Sequence, residues 1–154
     1  MSRLRSSIGV AVLIVLAGIA TATPVLAQQP SGAGRIKVVE GAAFVVRQSG
    51  TIPAQPGEVV FETDSLKTGA DGRIGVTLKD DTRVSLGPSS ELKLQRFVYE
   101  PGQGSFGMIL QFVRGVAAYV SGRMAKLSPE SIRLETPAAI VGVRGTTLAI
   151  RVDP

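Results

Sequence analysis

Two adjacent carboxylates, Asp80 and Asp81, are the residues whose types could do acid–base work or hold calcium. They stand between two alternating apolar runs, where Asp is a common turn former, so the spacing places both at a solvent-exposed hairpin turn. The stretch Gly102-Gln103-Gly104-Ser105-Phe106-Gly107 has the glycine content of a phosphate loop. It lacks the lysine and the following helix that such loops need, and reads as a turn. Tyr99 and Tyr119 carry both a ring and a polar handle. Facing outward in one groove they would suit a sugar; facing inward they are core packing or edge contacts. Arg144 is a lone charge in the neutral run Thr136-Pro137-Ala138-Ala139-Ile140-Val141-Gly142-Val143-Arg144-Gly145-Thr146-Thr147. Its fork could contact a partner or satisfy carbonyls and a carboxylate inside the fold, and the core-like neighbours favour the internal tie.

The wider composition removes most other chemistry. The chain has no Cys and no His. Thiol catalysis, Ser/His/Asp triads, zinc sites and haem ligation through His or Cys are excluded, and no disulfide framework supports the fold. No acidic loop has calcium spacing. Neither a catalytic residue, a metal site nor a cofactor is expected.

The N-terminal residues are read apart from the fold. Arg3 and Arg5 precede an uncharged, mostly apolar run from Ile8 to Ala20, and Val25-Leu26-Ala27 presents small or compact residues before a cut. This is the pattern of a secretory signal peptide over residues 1–27, cleaved before Gln28. The alternative is an uncleaved membrane anchor. Residues 28–34 read as a disordered leader and 35–154 as one all-β domain. Loss of Arg3 and Arg5 lowers the formal charge from +5 to +3. With basic residues spread singly, nucleic-acid binding is not expected.

Beyond residue 35 the chain is a series of short apolar runs cut by turn residues. Ile36, Val38 and Val39 open the first strand, Phe44-Val45-Val46 a second, and Thr51 to Gly57 reads as an irregular loop. Ile74, Val76 and Leu78, then Val84 and Leu86, then Leu92 and Leu94, alternate with polar residues. Such period-two runs mark half-buried strands. Met108–Val113 and Val116–Val120 read as two strands separated by Gly115, and Ser121–Ser131 as a loop. Ile132, Leu134, Ile140, Val141, Val143, Leu148, Ile150 and Val152 complete the predicted core. Gly142 and Gly145 read as sites of close backbone approach, and Pro137 as a strand's first residue or an edge position. The fold class is all-β: a single domain of short strands forming a β-solenoid-like roll or a sandwich.

Thr136-Pro137 through Gly142-Val143-Arg144-Gly145-Thr146 resembles the C-terminal signature of the FecR domain family. Leu78-Lys79-Asp80-Asp81-Thr82-Arg83-Val84-Ser85-Leu86 is similar to its hairpin, and Ser90-Glu91-Leu92-Lys93-Leu94 to the strand that follows. Gly57-Glu58, Asp64 and Thr68-Gly69 resemble its opening segment, so the likeness covers roughly residues 40 to 152. The resemblance implies an extracytoplasmic all-β module. FecR itself is a sensor-regulator that carries a signal from an outer-membrane receptor to a sigma factor. The expectation for this chain is a non-enzymatic, exported, periplasmic binding, scaffold or sensor component whose partner is another envelope protein. The alternatives are a glycan- or peptidoglycan-associated module using Tyr99 and Tyr119, and a membrane-tethered regulator of iron-uptake-type signalling if the N-terminal segment stays uncleaved. The internal-tie reading also implies that Arg144→Ala or Gly145→Val lowers folding stability. N-terminal sequencing of the exported protein is expected to give Gln28 as the first residue; a start at Met1 or Ser2 would mean a tether instead.

Overall fold

The computed structural model describes residues 31–153. The strands are β1 (Gly34–Glu40), β2 (Ala43–Arg47), β3 (Gly50–Pro53), β4 (Val59–Val60), β5 (Ser65–Thr68) and β6 (Arg73–Leu78). They continue with β7 (Arg83–Leu86), β8 (Glu91–Glu100), β9 (Ser105–Val120), β10 (Ile132–Glu135), β11 (Ile140–Gly142) and β12 (Thr147–Val152). One helical turn, α1 (Met124–Leu127), interrupts the series. The predicted all-β class is what the chain forms: a 12-stranded sheet that curls on itself as a half-barrel.

Strand β9 belongs to both halves of this curl. Its first part pairs antiparallel with β8 and parallel with β10, while its last part pairs antiparallel with β7 and β12. One half-sheet runs β3-β2-β5-β8-β9 and the other β9-β7-β6-β1-β4. Every strand pairing except β10 with β9 is antiparallel, so stacked parallel rungs of a solenoid are not the architecture.

The predicted alternation places the core. Ile74, Val76, Leu78, Val84 and Leu86 turn inward from one half, and Leu66, Leu92, Leu94, Leu110 and Phe112 from the other, into one buried cluster. A void of only about 10 Å³ is lined by Leu66, Leu92 and Leu110 together with Val76, Leu78 and Val84. The inner faces therefore meet at close packing, as expected of a dry core.

Several boundaries differ from the sequence reading. Leader residues 28–30 lie outside the described residues, but the chain is already packed at Ala33, which is buried and bonds to Val60 in β4 and to Lys79 just after β6. The expected loop 51–57 supplies the β3 edge, where Pro53 costs little because an edge strand tolerates a missing donor. The two strands expected around Gly115 are one. Residues Ser121–Ser131 hold the turn of helix α1 and a 3₁₀ turn at Pro129–Ser131.

Continuity through Gly115 has a specific cause. Gly115 has φ +87, and a Cβ there would lie 2.3 Å from Ser90 Oγ and 2.7 Å from the Ser89 carbonyl oxygen. Ser90 fills that space: Val116 N–H donates to its Oγ at 2.9 Å, and the hydroxyl reaches the Val116 and Pro88 carbonyls at 3.0 Å. Thr68 Oγ1 in turn accepts the Ser90 N–H at 2.8 Å and donates to the Gly87 carbonyl at 2.7 Å.

The carboxylate pair is split between two environments. Asp81 is exposed and pairs with Arg123 at 2.7 Å. Asp80 is buried, contrary to the solvent-exposed turn expected, because it caps the α1 segment from across the fold. Its carboxylate accepts from Thr82 N–H and Thr82 Oγ1, and Met124 N–H approaches it at 3.4 Å. Its carbonyl accepts the Arg123 N–H at 2.6 Å. Gly122 passes so close that a Cβ would meet the Asp80 carbonyl oxygen at 2.2 Å.

Tyr119 is fully buried beside this network, and its hydroxyl faces Ser121 and Thr82 without a hydrogen bond of good geometry to either. Burial pushes the phenol above its ordinary value, opposed by the Ser121 and Thr82 side chains. A raised folded-state value means the unfolded chain releases its phenolic proton first, so stability holds below pH ~10 and falls as pH rises beyond it. Tyr119→Phe should be neutral or stabilising by about 1 kcal/mol at pH 7, since an unpartnered buried hydroxyl is removed. It should also flatten the alkaline loss, both read by denaturant melts across pH. Ser90→Ala should cost about 1–3 kcal/mol, because Val116 N–H loses its acceptor. Gly115→Ala should cost about 3 kcal/mol or more from combined strain and overpacking.

Candidate functional site

The predicted signature segment lies at the surface. Thr136 closes a turn with Ala139: Thr136 N–H donates to the Ala139 carbonyl at 2.8 Å, and Ala139 N–H to Thr136 Oγ1 at 3.1 Å. Pro137 is the second residue of that turn, where its fixed φ is favourable. The turn reverses the chain from β10 into β11, which pairs with β10 alone among the described strands. Pro137 therefore precedes an edge strand rather than opening it.

Beyond β11 the chain is pinned at two points. Val143 is buried in the core. Thr146 is clamped by Ser121, whose hydroxyl and N–H both donate to the Thr146 carbonyl at 2.9 and 3.0 Å and whose oxygen accepts the Thr146 N–H at 2.9 Å. Arg144 and Gly145 bulge out between these anchors, both exposed. Gly145 takes φ +50, which a glycine adopts without penalty.

This corrects the internal-tie reading. Arg144 makes no hydrogen bond or ion pair among the described residues and stands in solvent. Its charge reaches Glu130, whose carboxyl is held below the usual range first by the Ser128 hydroxyl donating at 2.6 Å and, more weakly, by Arg144. Gly142 and Gly145 have nothing within 4 Å of an added Cβ, so neither is a close-approach site. Close-approach sites lie elsewhere, Gly34, Gly41, Gly72, Gly115 and Gly122 among them. Ile140 and Val141, expected in the core, are 67% and 39% exposed. The short β11 hairpin sits at the rim of the half-barrel, where neither half-sheet covers it.

The internal arginine of the fold is Arg47. Its Nε donates to both Asp64 carboxylate oxygens at 3.1 Å, its NH2 donates to the Val59 carbonyl at 2.6 Å, and the same nitrogen lies 3.2 Å from Glu58. Asp64 also accepts the Phe61 N–H at 2.9 Å, and the guanidinium lies 5.1 Å from the Phe61 ring centre. No period marks this tie in the sequence, because its members are scattered across β2, β4 and the following turn.

The other candidates do not assemble into a site. Tyr99 packs against Phe106 with ring centres 6.0 Å apart, and Tyr119 is buried, so the two do not form an outward aromatic pair. Pro101–Gln103 forms a 3₁₀ turn followed by left-handed Gly104, as befits a hairpin connection. Among the described residues no cluster of three or more His, Cys, Asp or Glu could hold a metal, and no helix is long and apolar enough to cross a membrane.

What the signature presents is an apolar edge strand, an exposed cation and a cleft of about 420 Å³ between the Arg144 turn and α1. Ser121, Gly122, Lys126, Gly145 and Thr146 line that cleft. The family model described as "FecR protein" matches residues 64–154, which spans β5 to β12 and includes the whole signature. The match starts at Asp64, later than the residue 40 suggested by resemblance, although β1 to β4 complete the same sheets. No curated protein and no solved structure matches the chain significantly.

Proposed function

The chain belongs to the FecR family, and from that premise we propose that it is a non-enzymatic sensor or regulatory component that works by recognising another envelope protein. The observation that carries this reading is the exposed turn at Arg144. Its residues are presented by anchors on either side and do no packing of their own. Side chains with no structural task at a pinned surface turn suit a contact. An exposed arginine that follows exposed Ile140 and Val141 by four and three residues has the mixed chemistry of a recognition hot spot. The free edge of β11 adds main-chain donors and acceptors that an extended partner segment could pair with, its side chains alternating on either face. The secretory pattern of residues 1–27, which lie outside the described residues, supports a periplasmic setting. The same pattern leaves a tethered regulator as the second reading, decided by whether the segment is cleaved.

Arg144→Ala should leave the melting temperature within about 2 °C, as for a surface change. It should reduce envelope-protein recovery in a crosslinking pull-down by about tenfold or more. Gly142→Ala, with open space around the added methyl, should also melt as the parent does. A clear drop in melting temperature for Arg144→Ala, or unchanged recovery, would return this residue to a structural role.

A further inference from the structure

On the outer face of the β12-β9-β7-β6-β1 half-sheet, strand register aligns Ala149, Ala118, Ser85, Gly75 and Val38 across neighbouring strands. Val38 Cβ and Ser85 Oγ lie 3.6 and 4.0 Å from where a Gly75 Cβ would be, so they stand on one side of the sheet. Val38, Gly75, Ser85 and Ala118 of this row line a groove of about 510 Å³ that extends from the row toward Glu40, Arg73, Pro88 and Val116.

By strand register, cations flank the row on both sides, and these two flanks are its banks. Two residues along the strands on one side are Arg73 and Arg151; two residues along on the other is Arg83, with Lys37 exposed at the bulge in β1. None of these four forms an ion pair among the described residues, and Glu40 is the one acid on the banks. Four residue rises separate the banks, roughly 13 Å, and four strand spacings give a length of roughly 19 Å. An α-helix is about 10–12 Å across and covers that length in about 13 residues.

We propose that this face docks an acidic amphipathic helix of a partner protein, its small or apolar stripe on the Gly75–Ser85–Ala118 floor and its carboxylates on the two cationic banks. Charge and lining argue against other occupants. A second copy would bring the same unpaired cations against these. A sugar would find no aromatic platform in the groove. The proposal does not depend on the Arg144 contact, since the two surfaces share no residue.

The test uses the full exported chain and a labelled 14-residue helical peptide with alanine on one face and glutamate on both flanks. Lysine-flanked and proline-broken versions serve as controls, alongside vesicles rich in phosphatidylglycerol. Fluorescence anisotropy should show binding of the glutamate helix that weakens at least tenfold in Arg83→Glu/Arg151→Glu and in Ala118→Trp, with melting temperatures unchanged. Adding salt should weaken it too. Equal binding of the lysine-flanked helix would overturn the proposal. So would equal binding of the proline-broken peptide, which would mean charge alone is read. Vesicle binding insensitive to Ala118→Trp without peptide binding would assign the face to a membrane surface instead.

Discussion

One bend holds the two halves of this protein in register. Strand β9 can serve both half-sheets only if its backbone turns sharply between Arg114 and Val116 while staying hydrogen-bonded. Gly115 permits the turn and Ser90 replaces the bonds that the turn breaks. A bend without that hydroxyl would leave the Val116 N–H unpaired where the half-sheets meet, at a cost of about 1–3 kcal/mol against a small domain's margin of about 5–15 kcal/mol. Thr68 ties the same corner to β5, so strands far apart in sequence converge on one buried group of hydroxyls. Inward alternation from both halves then closes over a core with almost no empty space.

How much of this was legible depends on what kind of signal each part leaves. Strands β6, β7 and β8 follow from Ile74-Val76-Leu78, Val84-Leu86 and Leu92-Leu94, because one face buried and one face wet writes a period of two into the sequence. The all-β class follows for the same reason. The β9 bend was misread because a glycine between two strands and a glycine within one bent strand look identical without a partner to fill the space. Asp80 looked like a turn residue since its burial depends on Met124 arriving from more than forty positions away.

The candidate site shows the opposite pattern: its residues stand out in the sequence and their environment does not. An apolar run such as Ile140-Val141 with a single Arg reads as core when only composition is considered. Whether such a run is covered depends on how many strands lie beyond it, and β11 has a neighbour on one side only. The expected internal arginine exists, yet it is Arg47, recruited by Asp64 across a loop whose sequence carries no period. The paired Arg47 braces the fold from a half-buried position, whereas the unpaired Arg144 stands in solvent.

The two pins around the Arg144 turn set a thermodynamic condition on anything that binds there. A free loop loses roughly 1–2 kcal/mol of backbone entropy per residue when it is immobilised. Here Val143 in the core and the Ser121 clamp on Thr146 hold Arg144 and Gly145 in place already. Folding itself bears that ordering cost, so a partner closing on this turn keeps most of its contact energy as affinity. A small contact area can then suffice for an interaction that forms and releases quickly.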